Sequence, residues 1–324
     1  MKVALKRIAS ILAILLAAAA AVAADTSPQV WYFSTRAAAH CGQLDDPTEA
    51  VSYWRLGADC DWSPAKAKDF HPGDATAMPT VVFIPGNRTD ADEAVEKGWY
   101  VYQTICSEAD GKPFRFVIWS WPADRVCRHN RPDVQLKAAY CDAESYYLAA
   151  WLRGVQRGGK VSLVGHSFGP RIITGALHML AGGELACRTL PPAAAADNNS
   201  AKRLQIRAVL LADAADADSL APCGSNGLAL SLLDEALITC NCCDRVLKWY
   251  PRMYGRGGPE AIGFLGPCGI DDPQKVALLD VTAAIGRTHD YRCYCSALSQ
   301  CGYWPHYTFL DDAPAPDVPS KSAR

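Results

Sequence analysis

From residue 80 onward the chain alternates between short, mainly apolar runs and longer stretches where apolar residues recur every third or fourth position. The mainly apolar runs are TVVFIPG (80–86), FRFVIWSWP (114–122), KVSLVG (160–165), LQIRAVLLA (204–212), ALITC (236–240) and VALLDV (276–281). Their lengths and β-branched content predict strands, two of them stopped by proline or Pro-Gly. Between them, DADEAVEKGWYVYQTIC (90–106) opens with acids, which suit a helix N-terminus. The span 132–155 carries Ala138, Cys141, Ser145, Leu148, Leu152 and Val155 on one face of a 3.6-residue period, and PRIITGALHMLAGG (170–183) closes on glycines as helices do. Apolar strands that alternate with helices predict an α/β fold, a mostly parallel sheet with helices on both faces.

The first 75 residues do not follow this rhythm. Lys2, Lys6 and Arg7 precede an uncharged run over 8–24 that ends in AAAAAVAA, the signature of a secretory signal peptide over 1–24. Residues 25–75 read as an N-terminal extension, with strand-like VWYFSTR (30–36) and VSYWRL (51–56) able to add strands to the sheet. The repeating unit fills 76–310. The loop 190–203 reads as a surface excursion and the Pro-rich tail 311–324 as disordered.

Charge narrows the partners. A formal net charge of −2, with both signs mixed along the chain, announces neither nucleic acid nor an anionic lipid surface, and no second long apolar run predicts membrane insertion. A small-molecule partner is expected of a protein that is secreted or periplasmic. All 14 cysteines lie beyond the signal segment, and export makes disulfides the expected state. The cluster TCNCCD (239–244) lacks the paired C-x₂₋₄-C spacing of structural zinc sites.

The strongest chemical signal is VSLVGHSFG (161–169). It sets Ser167 inside Gly-His-Ser-Phe-Gly, after a predicted strand and before a predicted helix, the context of a nucleophile elbow. A tight strand-to-helix turn exposes the serine, and the helix N-terminus offers unpaired N–H groups to a developing oxyanion.

With this elbow the chain resembles the α/β-hydrolase superfamily, and within it bacterial hydrolases of unassigned substrate. The pieces that carry the resemblance are VVFIPGNRTDADEA, FVIWSWPAD, VSLVGHSFG, VLLADAADAD and CDRVLKWYP, spread in order over residues 80 to 290. The first 50 residues lie outside it. Such hydrolases often carry His-Gly in the loop after the third strand of the family sheet; here Pro85-Gly86 stands instead. Proline has no N–H, so the resemblance places the oxyanion hole at the backbone amides of Asn87 and Phe168. It also implies the order serine, acid, histidine. Asp244 in CDRVL matches the family's acid position, with Asp213 in LLADAADAD as the rival; a helix cap is the other duty Asp244 could have. Of seven histidines, His289 and His306 follow the last predicted strand, and the loop length and the H-x-Y resemblance favour His289.

The implied activity is hydrolysis of carboxylic esters through a Ser167–Asp244–His289 triad and an acyl-enzyme, with no metal or organic cofactor. Peptidase or thioesterase chemistry stays open, as does a catalytically silent binding protein on the same fold. The resemblance also makes the last two strands neighbours. A disulfide is therefore expected between Cys240, Cys242 or Cys243 and Cys293, Cys295 or Cys301, pinning the acid loop to the histidine loop; pairing with Cys223 or Cys268 is the rival.

Overall fold

Every predicted apolar run becomes a strand of one nine-stranded sheet. The structure, a computed structural model, describes residues 29–70, 78–155, 159–191, 203–255, 257–312 and 315–316. The expected signal segment 1–24, most of the loop 190–203 and most of the tail 311–324 lie outside the described residues.

The strands are β1 (Gln29–Ser34), β2 (Ser52–Leu56), β3 (Trp62–Ala65), β4 (Thr80–Ile84), β5 (Arg115–Ser120), β6 (Lys160–His166), β7 (Gln205–Leu211), β8 (Glu235–Cys240) and β9 (Val276–Asp280). Their order is β3-β2-β1-β5-β4-β6-β7-β8-β9. β1 pairs β5 in parallel, and all pairs from β5 to β9 are parallel. Only β2 and β3 add antiparallel pairs at one edge. Strands from the first 65 residues thus belong to the same sheet as the repeating unit. β4 and β5 are buried at every position, as a parallel sheet covered on both faces requires.

The longer helices are α1 (Ala91–Glu108), α2 (Asn130–Gly154), α3 (Phe168–Leu180) and α4 (Tyr291–Gln300). A capping box starts α1: the Asp90 side chain accepts from the Glu93 N–H at 2.8 Å, and the Glu93 side chain accepts from the Asp90 N–H at 3.0 Å. The right-handed crossover rule for parallel strands assigns α1 to one face of the sheet and α2 and α3 to the other. Packing agrees, with α2 against α3 and α1 against α4.

From β4 the chain steps to β5 on one side, then returns over it to β6 on the other. The strand order therefore reverses between β4 and β6, and their C-terminal ends open a crevice where parallel α/β sheets bind ligands. The elbow after β6 and the PGN loop after β4 meet there.

Candidate active site

β6 ends at His166 and α3 begins at Phe168, leaving Ser167 alone to turn the chain. It does so at φ 58°, ψ −104°, a conformation that costs a non-glycine residue energy and must be held by its surroundings. The Ser167 N–H donates to Leu211 O at 2.9 Å, and Ser167 O accepts from Ala214 N–H at 3.0 Å, so the end of β7 clamps both sides. Close approach explains the glycines. A Cβ on Gly169 would lie 2.1 Å from Ile84 O, and one on Gly165 2.6 Å from Pro170 N. On Gly86 it would lie 2.7 Å from the Ser167 Cβ.

The loops after β8 and β9 deliver the other two groups. His289 Nε2 lies 3.0 Å from Ser167 Oγ, and His289 Nδ1 lies 2.7 Å from Asp244 Oδ2. Asp244 is fully buried. Its Oδ2 also accepts from the Tyr294 hydroxyl at 2.7 Å, while Oδ1 accepts from the N–H groups of Val246 at 2.8 Å and Leu247 at 3.1 Å. Burial pushes this carboxyl up, but the hydrogen bond and charge of His289, then Tyr294 and the Leu247 amide, hold it below the ordinary aspartate range. Asp244 therefore holds the two N–H groups that lead into the turn Leu247–Trp249 with one oxygen and contacts the histidine with the other.

The rivals are engaged elsewhere. Asp213 is buried, with Oδ1 accepting from Ala215 N–H at 2.9 Å and Oδ2 buried without a hydrogen-bond partner among the described residues. Burial raises its carboxyl to about 7. His306 is buried with Nε2 2.7 Å from Glu235 Oε2.

Two contributors escaped the sequence reading. Tyr294 is one of 13 tyrosines and nothing local marks it; only α4 aims it at Asp244. His166 lies inside the motif, and its Nε2–H donates to His289 O at 3.0 Å, with the two rings 5.0 Å apart. Burial and then the neighbouring His289 hold His166 well below the usual imidazole range. It thus stays neutral and does not oppose a cation on His289.

Asn87 and Phe168 line the same hollow as Ser167 and His289. Phe168 is the first residue of α3, so its N–H has no acceptor within the helix. Asn87 follows the buried Pro85-Gly86, whose proline carbonyl accepts from Trp121 Nε1 at 2.9 Å and is thereby fixed.

The acid and histidine loops do meet, but by hydrogen bonds. Asn241 Nδ2 donates to Gly286 O at 2.8 Å, and Cys242 N–H donates to Thr282 Oγ1 at 3.1 Å. Among the described residues no disulfide joins the 240–243 group to the 293–301 group, and none joins either to Cys223 or Cys268.

Two hollows share Asn87, Ser167 and His289. One, about 420 Å³, is mainly apolar, lined by Val134, Phe168, Leu247, Tyr250 and Met253 among others. The other, about 440 Å³, is polar and includes Glu93, Lys97, His166 and Asp290. Lys97 Nζ donates to Thr89 Oγ1 at 2.7 Å, and burial holds its ammonium below the usual lysine range. Among the described residues no group of three or more His, Cys, Asp or Glu is placed to hold a metal ion, and no helix is long and apolar enough to cross a membrane. Comparison of the chain with protein families, curated proteins and solved structures finds no match.

Proposed function

We propose that the protein is a serine hydrolase of carboxylic esters, built on an α/β-hydrolase fold and acting after export. The observation that carries this reading is the unbroken chain Ser167 Oγ–His289 Nε2 at 3.0 Å and His289 Nδ1–Asp244 Oδ2 at 2.7 Å, on an elbow of strained backbone. A merely structural serine has no need of that strain, nor of a histidine whose far nitrogen is held by a buried carboxylate.

In the proposed reaction Ser167 Oγ attacks the ester carbonyl carbon and its proton passes to His289 Nε2. Asp244 keeps the proton on His289 Nδ1 and stabilises the imidazolium. The carbonyl oxygen becomes an oxyanion held by the Asn87 and Phe168 amides. Collapse breaks the C–O bond, and the alkoxide leaves with the proton from His289 Nε2. Water, deprotonated by the same nitrogen, then attacks the acyl-enzyme, releasing the acid and restoring Ser167. The mainly apolar hollow suits the acyl group and the polar hollow the alcohol, which leaves toward water.

The test is turnover of a water-soluble ester by Ser167→Ala, His289→Ala and His306→Ala. The first two are expected to lose at least ~10³-fold in kcat/KM, and the third to keep its per-molecule rate. Near-normal turnover by Ser167→Ala, or a severe loss at His306 with little change at His289, would overturn the assignment.

A further inference from the structure

The rim of the apolar hollow differs in charge from the rest of the chain. On one side Arg88, exposed, donates to Asn130 Oδ1 at 2.7 Å, and Arg125 approaches the same oxygen at 3.4 Å. Arg128 and Arg131 are exposed in the same segment. On the other side Arg245 lines the hollow, and Lys248 and Arg252 are exposed one and two turns on. Gln135 Nε2 donates to Met253 O at 2.9 Å, tying the two sides together.

Neither RVCRHNRP (125–132) nor RVLKWYPRMY (245–254) contains an acid. Of the acids that flank them, Asp133 and Asp244 are buried and the half-exposed Asp124 is paired with Arg36; Asp133 offsets Arg88 at 3.8 Å, and Asp244 is taken by His289. The exposed acids of the site, Glu93, Glu96 and Asp290, line the other hollow. In a chain of net charge −2 this is a segregated cationic rim.

Large apolar side chains stand exposed among these cations. Trp249 is 55% exposed, Val126 53% and Val246 45%. The Arg252 guanidinium lies 3.8 Å from the Trp249 ring, an arrangement that keeps both at the surface. A soluble polyanion would be met by the cations alone. A surface that offers negative headgroups above hydrocarbon meets both, with aromatic rings at the headgroup level and cations reaching the phosphates.

We propose that this rim docks the protein on an anionic lipid surface, with the mouth of the apolar hollow facing the lipid. Peripheral docking needs no spanning helix. Resting on the ester hydrolase reading, the substrate is then an acyl ester of an amphiphile in such a surface: its acyl chain enters the apolar hollow and its polar alcohol leaves through the hollow of Glu93 and Lys97.

The test is binding of the Ser167→Ala protein to equimolar phosphatidylcholine–phosphatidylglycerol vesicles and to pure phosphatidylcholine vesicles, by co-sedimentation at roughly 0.1 M salt. The anionic vesicles are expected to bind at least ~10-fold more tightly. Each basic residue near an anionic leaflet is worth about fivefold, so Lys248→Gln with Arg252→Gln weakens that binding by about 25-fold, whereas Lys248→Arg leaves it unchanged. Trp249→Ala weakens it further at constant charge. Equal binding to the two vesicle types, or no loss in the double variant, overturns the proposal. Capture by heparin without a preference for anionic vesicles also overturns it and assigns the rim to a soluble polyanion. Because Ser167→Ala turns nothing over, a failure of vesicle binding is separate from a failure of ester turnover in the unsubstituted protein.

Discussion

Asp213 follows the end of β7, one strand away from the acid that holds His289, and the protein treats the two carboxyls in opposite ways. Asp244 has four hydrogen bonds across its two oxygens. Asp213 has one, from the Ala215 amide, and an oxygen buried without a partner among the described residues. Burial raises Asp213 to about 7, from an ordinary value of 3.8. A carboxyl whose folded value lies above its unfolded value binds its proton more tightly when folded. Its stabilising contribution is therefore complete below about pH 4 and is lost as the pH rises through 7. Asp213→Asn keeps an acceptor for the Ala215 amide and removes the titration. The stability of the variant relative to wild type is expected to improve between pH 5 and pH 8, by a few kcal/mol at most. Urea unfolding at the two pH values checks this; a difference independent of pH would show that Asp213 does not titrate in that range.

Among the elements, the apolar runs that became β4 to β8 were legible because burial on both faces leaves a nearly continuous run of apolar residues. β3 was not. Its sequence, WSPA, contains Pro64, which an edge strand tolerates and a central one does not, and nothing local reveals which edge it will occupy. The expected helix after Asp244 shrinks to the turn Leu247–Trp249 and the short helix Tyr250–Tyr254, with Pro251 at its start. The N-terminal strands are tied down by a buried polar knot. Glu144 of α2 accepts from the Thr35 hydroxyl at 2.7 Å and from Trp119 Nε1 at 2.9 Å, and it pairs with His40 Nε2. His40 Nδ1 lies 2.7 Å from Ala38 O. Removing Glu144 strands the buried Thr35 hydroxyl and Trp119 N–H, so Glu144→Ala is expected to cost about 2–4 kcal/mol. The folded fraction should keep its ester turnover, since no member of the knot borders Ser167. Denaturant titration gives the stability; a loss below about 1 kcal/mol would mean the knot does not anchor the extension.

Across the whole molecule, what could be read in advance depended on distance along the chain. Ser167 sits in a five-residue motif between a strand and a helix. The acid and the base needed a chain order carried by resemblance, and the geometry brings Asp244 and His289 to it rather than Asp213 and His306. The cationic rim was invisible because it joins segments more than 100 residues apart, each too short to weigh on a net charge of −2. The cysteine pairing was open for a related reason. Proximity of two loops does not orient particular side chains; hydrogen bonds from Asn241 and Cys242 join the loops. The proposed chemistry requires that Ser167 be an activated nucleophile. Treatment of the protein with a fluorophosphonate, with the adduct mapped by peptide mass spectrometry, reads this out. A single adduct on Ser167 is expected, abolished in Ser167→Ala and formed at least ~10³-fold more slowly in His289→Ala. An unlabelled Ser167, or labelling that persists at full rate without His289, would contradict it.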